Sequence, residues 1–225
     1  MKIQIKSQIM PIVLDIETSG LDRIKCGIWQ IGAIDLNTMD EFIEESRIDN
    51  DDLVESEALI VIGKTEDELR DEDKQSQKEM LQNFFRWMEK RALRNLLCQN
   101  PQFDVSFLEI RAKKYGVKKT MQHRAFDLHT IAQVMHLRIN NEFLIRAGKD
   151  TSGFESNMNL TNILKICGLP DKRRILIEGK IVQEGNPHNA LEDCKLTAEC
   201  FGRLLYGKNL LPEYSKYKIP EELKK

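Results

Sequence analysis

Residues 11–17 read Pro-Ile-Val-Leu-Asp-Ile-Glu, an apolar run of strand length that Thr18-Ser19-Gly20 ends. A second run, 28–36, follows after a short turn, and residues 42–48 alternate as a third strand with one wet face. The period then changes. Thr65 with Glu68, and Ser76 with Glu79, fit the capping box in which a hydroxyl and a carboxylate satisfy orphan N–H groups at a helix start. Beyond the second box, Leu81, Phe84, Phe85 and Met88 recur at helical spacing. A short strand over 95–99 precedes a helix from about Asp104 to Tyr115-Gly116, and a strand–helix pair follows over 125–135. Residues 160–167 form a short helix stopped by Gly168 and Pro170, and 175–182 a hairpin turning at Glu178-Gly179. In the last helix, 190–206, Leu191, Cys194, Ala198, Phe201 and Leu205 make one apolar stripe before Gly207. Strands first, then strands alternating with helices, predict an α/β fold with a mixed sheet covered by helices. No repeat, linker or low-complexity tract divides the 225 residues, so 1–225 reads as a single domain with its core over about 10–207.

Composition narrows the class. Hydrophobic residues at 41% and charged residues at 31% suit a folded core and exclude a disordered chain. Lys+Arg at 34 against Asp+Glu at 36 gives a net charge of -2, so no global basic field draws the chain to nucleic acid or membrane. That balance hides two opposed segments. Residues 40–57 carry nine acids against Arg47, whereas 110–126 carry Arg111, Lys113, Lys114, Lys118, Lys119 and Arg124 with no acid. Five cysteines, an odd number with no secretory segment ahead of them, imply reduced thiols and a cytoplasmic location. The first 17 residues are broken by Lys, Gln and Ser, and no apolar run reaches membrane-spanning length.

Asp15 and Glu17 stand two apart on a strand, so both leave the same face at its C-terminal end, shared with Val13, while Ile12, Leu14 and Ile16 face the other way. Paired anions on an otherwise apolar strand repel and desolvate badly unless a cation joins them, and oxygen ligands suit Mg(II) or Mn(II). Acid-x-acid alone is weak, since about 6 such pairs are expected by chance in a chain this acidic. Asn189 caps the final helix with Glu192 as the other half of a box, which puts His188 just outside it and Asp193 in its first turn. Between these lies Asn100-Pro-Gln-Phe-Asp104, where Asp104 reads equally as an ordinary N-cap.

Taken together, Asp15-Ile-Glu-Thr-Ser-Gly-Leu21, Asn100-x-x-Phe-Asp104 and His188-Asn-Ala-Leu-Glu-Asp193 resemble, in order and spacing, the three motifs of the DnaQ-like exonucleases. The likeness is to the DEDDh type that includes RNase T and the proofreading subunit of bacterial DNA polymerase III. It runs from about Pro11 to Leu205 and takes in Trp29-Gln-Ile-Gly-Ala and Leu160-Thr-x-Ile-Leu. It implies an RNase H-like fold: a five-stranded mixed sheet, the first three strands antiparallel, flanked by helices. It also implies a metal-dependent 3′→5′ exonuclease in which Asp15, Glu17, Asp104 and Asp193 bind two divalent ions and His188 is the general base. Two such ions can clamp the attacking and leaving oxygens of an in-line displacement and release a nucleoside 5′-monophosphate.

The same resemblance assigns Thr18, Ser19, Gly20 and Leu21, with Asn100, to the 3′-terminal nucleotide, Leu21 packing on its base. Single-stranded 3′ ends are the implied substrate, DNA ahead of RNA; RNA 3′-end trimming or an oligoribonuclease-like activity is the alternative, and a binding module without catalysis the third. Phe103 and Phe107, on a helical period, are expected in the core. The 175–182 hairpin and the polar stretch 137–159 are expected to wall the substrate, the basic 110–126 segment to track phosphates, and the acidic 40–57 face to point away. A polymerase or a second copy of the chain, contacting Trp87 or the acidic face, is the protein partner left open.

Overall fold

The structure is a computed structural model that describes residues 9–148 and 153–224. Its centre is a five-stranded sheet in the order β3-β2-β1-β4-β5, built from β1 (Ile12–Thr18), β2 (Ile28–Asp35), β3 (Asp40–Glu45), β4 (Leu96–Cys98) and β5 (Phe126–Asp127). β1, β2 and β3 run antiparallel, whereas β4 and β5 join parallel to β1, so the mixed RNase H-like sheet is as expected.

Alternation along β1 sorts the two cores. Ile12, Leu14 and Ile16 pack under α3 (Gln77–Glu89) and α4 (Pro101–Tyr115), meeting Met80, Phe84, Phe107 and Leu108. Val13 faces the opposite core with α5 (Leu128–Asn140), α6 (Leu160–Ile166) and α7 (Ala190–Tyr206), so Asp15 and Glu17 leave the sheet on the α7 side. Both capping boxes are present, Thr65 opening α2 (Glu66–Leu69) and Ser76 opening α3. α7 has the expected bounds, but Glu192 turns to Lys195 at 3.1 Å while Asn189 alone caps Leu191 and Glu192.

Several elements depart from expectation. α1 (Ser56–Ile62) is a helix that no side-chain cap announces in the sequence. α4 starts at Pro101, not Asp104, because proline fills the first helical position without needing an N–H partner, leaving Asp104 one turn inside. Within 137–159 lies a second hairpin, β6 (Ile145–Ala147) and β7 (Phe154–Ser156), beside the expected one of β8 (Ile175–Ile177) and β9 (Lys180–Gln183); residues 149–152 of that stretch fall outside the described ones.

The opposed charge segments meet each other. Arg111 is fully buried, donating to Asp52 Oδ1 at 2.6 Å and to the Cys26 carbonyl, while Asp52 Oδ2 accepts from Gln77 at 2.7 Å. Lys114 reaches Asp49 at 2.8 Å and Asp51 at 3.3 Å, and Lys119 pairs with Glu109. A buried charge without a partner is costly, so Arg111 is committed to Asp52 and Lys114 leans on the same loop. The basic segment is therefore in large part a structural clamp, and only Lys113, Lys118 and Arg124 of its cations stay exposed without such an ion pair among the described residues. All five cysteines are buried. No described helix is long and apolar enough to cross a membrane.

Candidate active site

Gly32 makes the site's assembly possible. It lies opposite Asp15 in the β1–β2 ladder, and a Cβ there would strike the Ala190–Leu191 peptide, so its absence lets α7 begin directly on the sheet. Gln30, paired with Glu17, accepts the Ala190 N–H at 2.8 Å, and Cys194 Sγ donates to the Gly32 carbonyl at 3.2 Å. That seating carries Asp193, in the first turn of α7, over Asp15 and Glu17. Asp104, on the first turns of α4, enters from the other side of β1.

The four carboxylates thus line one cleft of about 280 Å³ with His188, Leu21, Gln99, Asn100, Phe103, Leu160 and Arg173. Glu17, Asp104 and Asp193 are each less than a tenth exposed. Burial, then the charges of Asp193 and Asp104, pushes Asp15 and Glu17 well above the ordinary carboxylate range, with Glu17 itself adding to the rise at Asp15. Burial raises Asp104 to about 7, and N–H groups of Asp104 and Ile16 hold it from rising further. Asp193 Oδ1 is buried with no hydrogen-bond partner, and atoms of Glu17, His188 and Asp193 lie within 4.8 Å of one another. Crowded, mutually repelling oxygens with one orphan acceptor fit a divalent cation, which relieves the repulsion where the acids would otherwise have to take up protons.

A stability signature follows. Acids with raised folded-state pKa values hold protons that the unfolded chain releases above its usual range of about 4, so this contribution is full below that range and is lost as pH rises through the folded values, at about 7 for Asp104. Melting in EDTA should fall by roughly 5 °C or more between about pH 5 and pH 8, and Mg(II) or Mn(II) at pH 8 should restore it. An EDTA melting temperature that is level or rising across that interval would contradict the charge balance.

His188 N–H bonds to the Val61 carbonyl at 3.1 Å, and its Nε2 to the Arg174 carbonyl at 2.9 Å, which makes Nε2 the protonated nitrogen and leaves Nδ1 3.6 Å from Asp193 Oδ2. Burial, chiefly, holds the imidazole below its ordinary value, against the opposing pull of Asp193.

The neighbouring loop differs from expectation. Ser19 is fully buried, donating to the Leu53 carbonyl at 2.6 Å and accepting from Gly27 at 2.9 Å, and Thr18 donates to the Gly20 carbonyl at 2.7 Å. These hydroxyls shape the loop and do not face the cleft as free donors. Leu21 is 73% exposed at the rim while its N–H is held by Glu55 at 3.1 Å. Asn100 opens α4 without capping it through its side chain and lines the cleft. Phe107 is core as expected, but Phe103 lines both this cleft and an adjoining cavity of about 250 Å³. Thr18, Gly20, Leu21, Leu176 of β8, and Glu55 and Glu57 line that cavity too, so the acidic segment does not lie wholly away from the site. Arg173, Asp171 and Gln30 were not singled out from sequence; only Gln30 lies inside a run already quoted for the resemblance.

An RNase H-like sheet presenting acid, acid, acid, histidine and acid at one cleft defines an exonuclease-type nuclease. The chain matches the RNase_T exonuclease family over residues 12–201 and belongs to it. Its fold is similar to the nuclease domain of 3'hExo, a DEDDh family member bound to rAMP, at 16% identity and TM-score 0.59, covering 94% of this chain and 96% of that one. E. coli Exonuclease I in complex with a dT13 oligonucleotide matches at 16% identity and TM-score 0.60, over 84% of this chain and 39% of that one. Cell-death related nuclease 4 (CRN-4) matches at 14% identity and TM-score 0.56, over 87% of this chain and 63% of that one. The chain thus spans nearly all of the 3'hExo domain but about two-fifths of Exonuclease I. No curated protein matches it.

Proposed function

We propose that the protein is a 3′→5′ exonuclease of single-stranded nucleic acid, DNA ahead of RNA, that releases nucleoside 5′-monophosphates. The observation that carries this reading is the convergence of Asp15, Glu17, Asp104 and Asp193 in one buried cleft beside His188. Those four acids would hold two divalent cations, Mg(II) or Mn(II), which supply Lewis acidity to the phosphoryl group and acidify water. His188, neutral at pH 7 because burial lowers its pKa, accepts a proton at Nδ1, the nitrogen its Arg174 hydrogen bond leaves bare. Leu21 and Phe103 offer apolar contact to the terminal base, and Asn100 a polar one to its sugar or phosphate. The similar solved structures include one bound to rAMP and one to dT13, which supports a single-stranded 3′ end of either sugar type. The buried thiols accord with a reducing, cytoplasmic setting.

In this reading the two hairpins wall the single strand. β8 brings Leu176 to the cavity beside Glu17, and β7 ends at Ser156, which bonds His129 at 2.7 Å and Gln133 at 2.6 Å, close to the Met158 carbonyl that accepts from Gln99. Exposed Phe154, Ile177, Ile181 and Val182 extend apolar surface along both. Deleting residues 178–180 is expected to change the ratio of turnover on labelled single strands to that on duplex ends, DNA and RNA each being tested. An unchanged ratio on both would remove the wall.

A further inference from the structure

Arg173 lines the carboxylate cleft, and among its described lining residues it is the one with a permanent positive charge. Its fork is fully directed. Nε donates to Asp171 Oδ1 at 3.0 Å and Nη2 to Asp171 Oδ2 at 2.8 Å, while Nη1 donates to Asp193 Oδ2 at 3.0 Å. Asp171 is itself fixed by Thr161, whose hydroxyl donates to Oδ2 at 2.7 Å. The backbone is held just as firmly. Gln183 donates to the carbonyls of Asp171 at 3.0 Å and Arg173 at 2.9 Å, and Gly185 passes so near the Lys172–Arg173 backbone that a Cβ would collide with it. The same segment supplies the Arg174 carbonyl that orients His188.

We propose that Arg173, clamped by Asp171, is a positioning residue for Asp193: it fixes one carboxylate oxygen and thereby presents the other to the cation. Oδ2 takes the guanidinium, and Oδ1 is left buried without a partner. A positive charge beside a cation site ordinarily opposes binding. The bidentate pair with Asp171 is neutral as a whole, which cancels most of that repulsion and leaves the directional contribution dominant. Partners that orient metal ligands are worth about 10–100-fold in metal affinity.

The proposal rests on the reading of the four acids as cation ligands, and one titration separates the two. Mn(II) is titrated calorimetrically into the full chain without nucleic acid, for the wild type, Arg173→Gln and Arg173→Lys, with circular dichroism on each. Both variants are expected to keep the fold and to bind Mn(II) roughly 10–100-fold more weakly, lysine failing because a point charge cannot replace the fork. If Arg173→Gln does not fold, Arg173→Lys carries the measurement. Unchanged or tighter Mn(II) binding in a folded variant would overturn the positioning role, and so would full restoration by lysine, since charge alone would then be acting. A wild type that takes up no Mn(II) would instead overturn the cation-site reading itself.

Discussion

Asp104→Asn is expected to lower kcat by roughly 10³-fold or more while making the cation-free protein more stable at pH 8. A ligated dication contributes several kcal/mol to a phosphoryl transition state, and each ~1.4 kcal/mol is tenfold in rate. Removing the charge of one ligand should therefore cost about that much. Stability moves the other way. Asp104 is pushed up to about 7 by burial among Asp15, Glu17 and Asp193, so at pH 8 its ionised form adds repulsion that an amide would not. The amide keeps the carbonyl oxygen that can accept from the Ile16 and Asp104 N–H groups. Single-turnover release of nucleotide and melting in EDTA check the two effects together. Activity within tenfold of the wild type, or a lower EDTA melting temperature, would count against Asp104 as a ligand held at an electrostatic cost.

His188→Ala is the second large effect, with an expected loss of about 10²–10⁴-fold in kcat and little change in Mn(II) affinity. The side chain is half-buried, with its Nε2 tied to the Arg174 carbonyl and its Nδ1 facing Asp193. Because burial lowers its pKa, the ring is neutral and able to accept a proton throughout the neutral range, so the wild-type rate is expected to level off on the acid side of 6.5 as far as this group is concerned. Without the imidazole, hydroxide must do the work, and the rate should climb about tenfold per pH unit across the neutral range. A variant whose pH profile stays level would show that His188 acts otherwise than as a base.

Some of this was legible because local chemistry and tertiary packing agree. The α7 stripe and Gly207 define that helix from sequence, and alternation on β1 places Asp15 and Glu17 on one face. Asp104 was legible as a candidate but misplaced by a turn, although Pro101 carried the signal for the helix start. α1 had no periodic stripe and no side-chain cap, since Ala58-Leu-Ile-Val-Ile62 is apolar throughout and Glu55 precedes it without bonding its N–H groups. The pairing of Arg111 with Asp52 spans 59 residues, and no local pattern discloses that two opposed charge segments neutralise each other. Arg173 was hidden for a similar reason: within Lys172-Arg173-Arg174 it looks like solvated basic surface, and only Asp171 and Asp193 together reveal its direction.

The most direct test is digestion of oligonucleotides labelled at the 3′ or the 5′ end, with Mg(II), Mn(II) or EDTA. The expected result is stepwise shortening from the 3′ end, release of nucleoside 5′-monophosphates only when a divalent cation is present, and release slowed roughly 10³-fold or more in Asp104→Asn. Shortening from the 5′ end, or release that persists in EDTA, would contradict it.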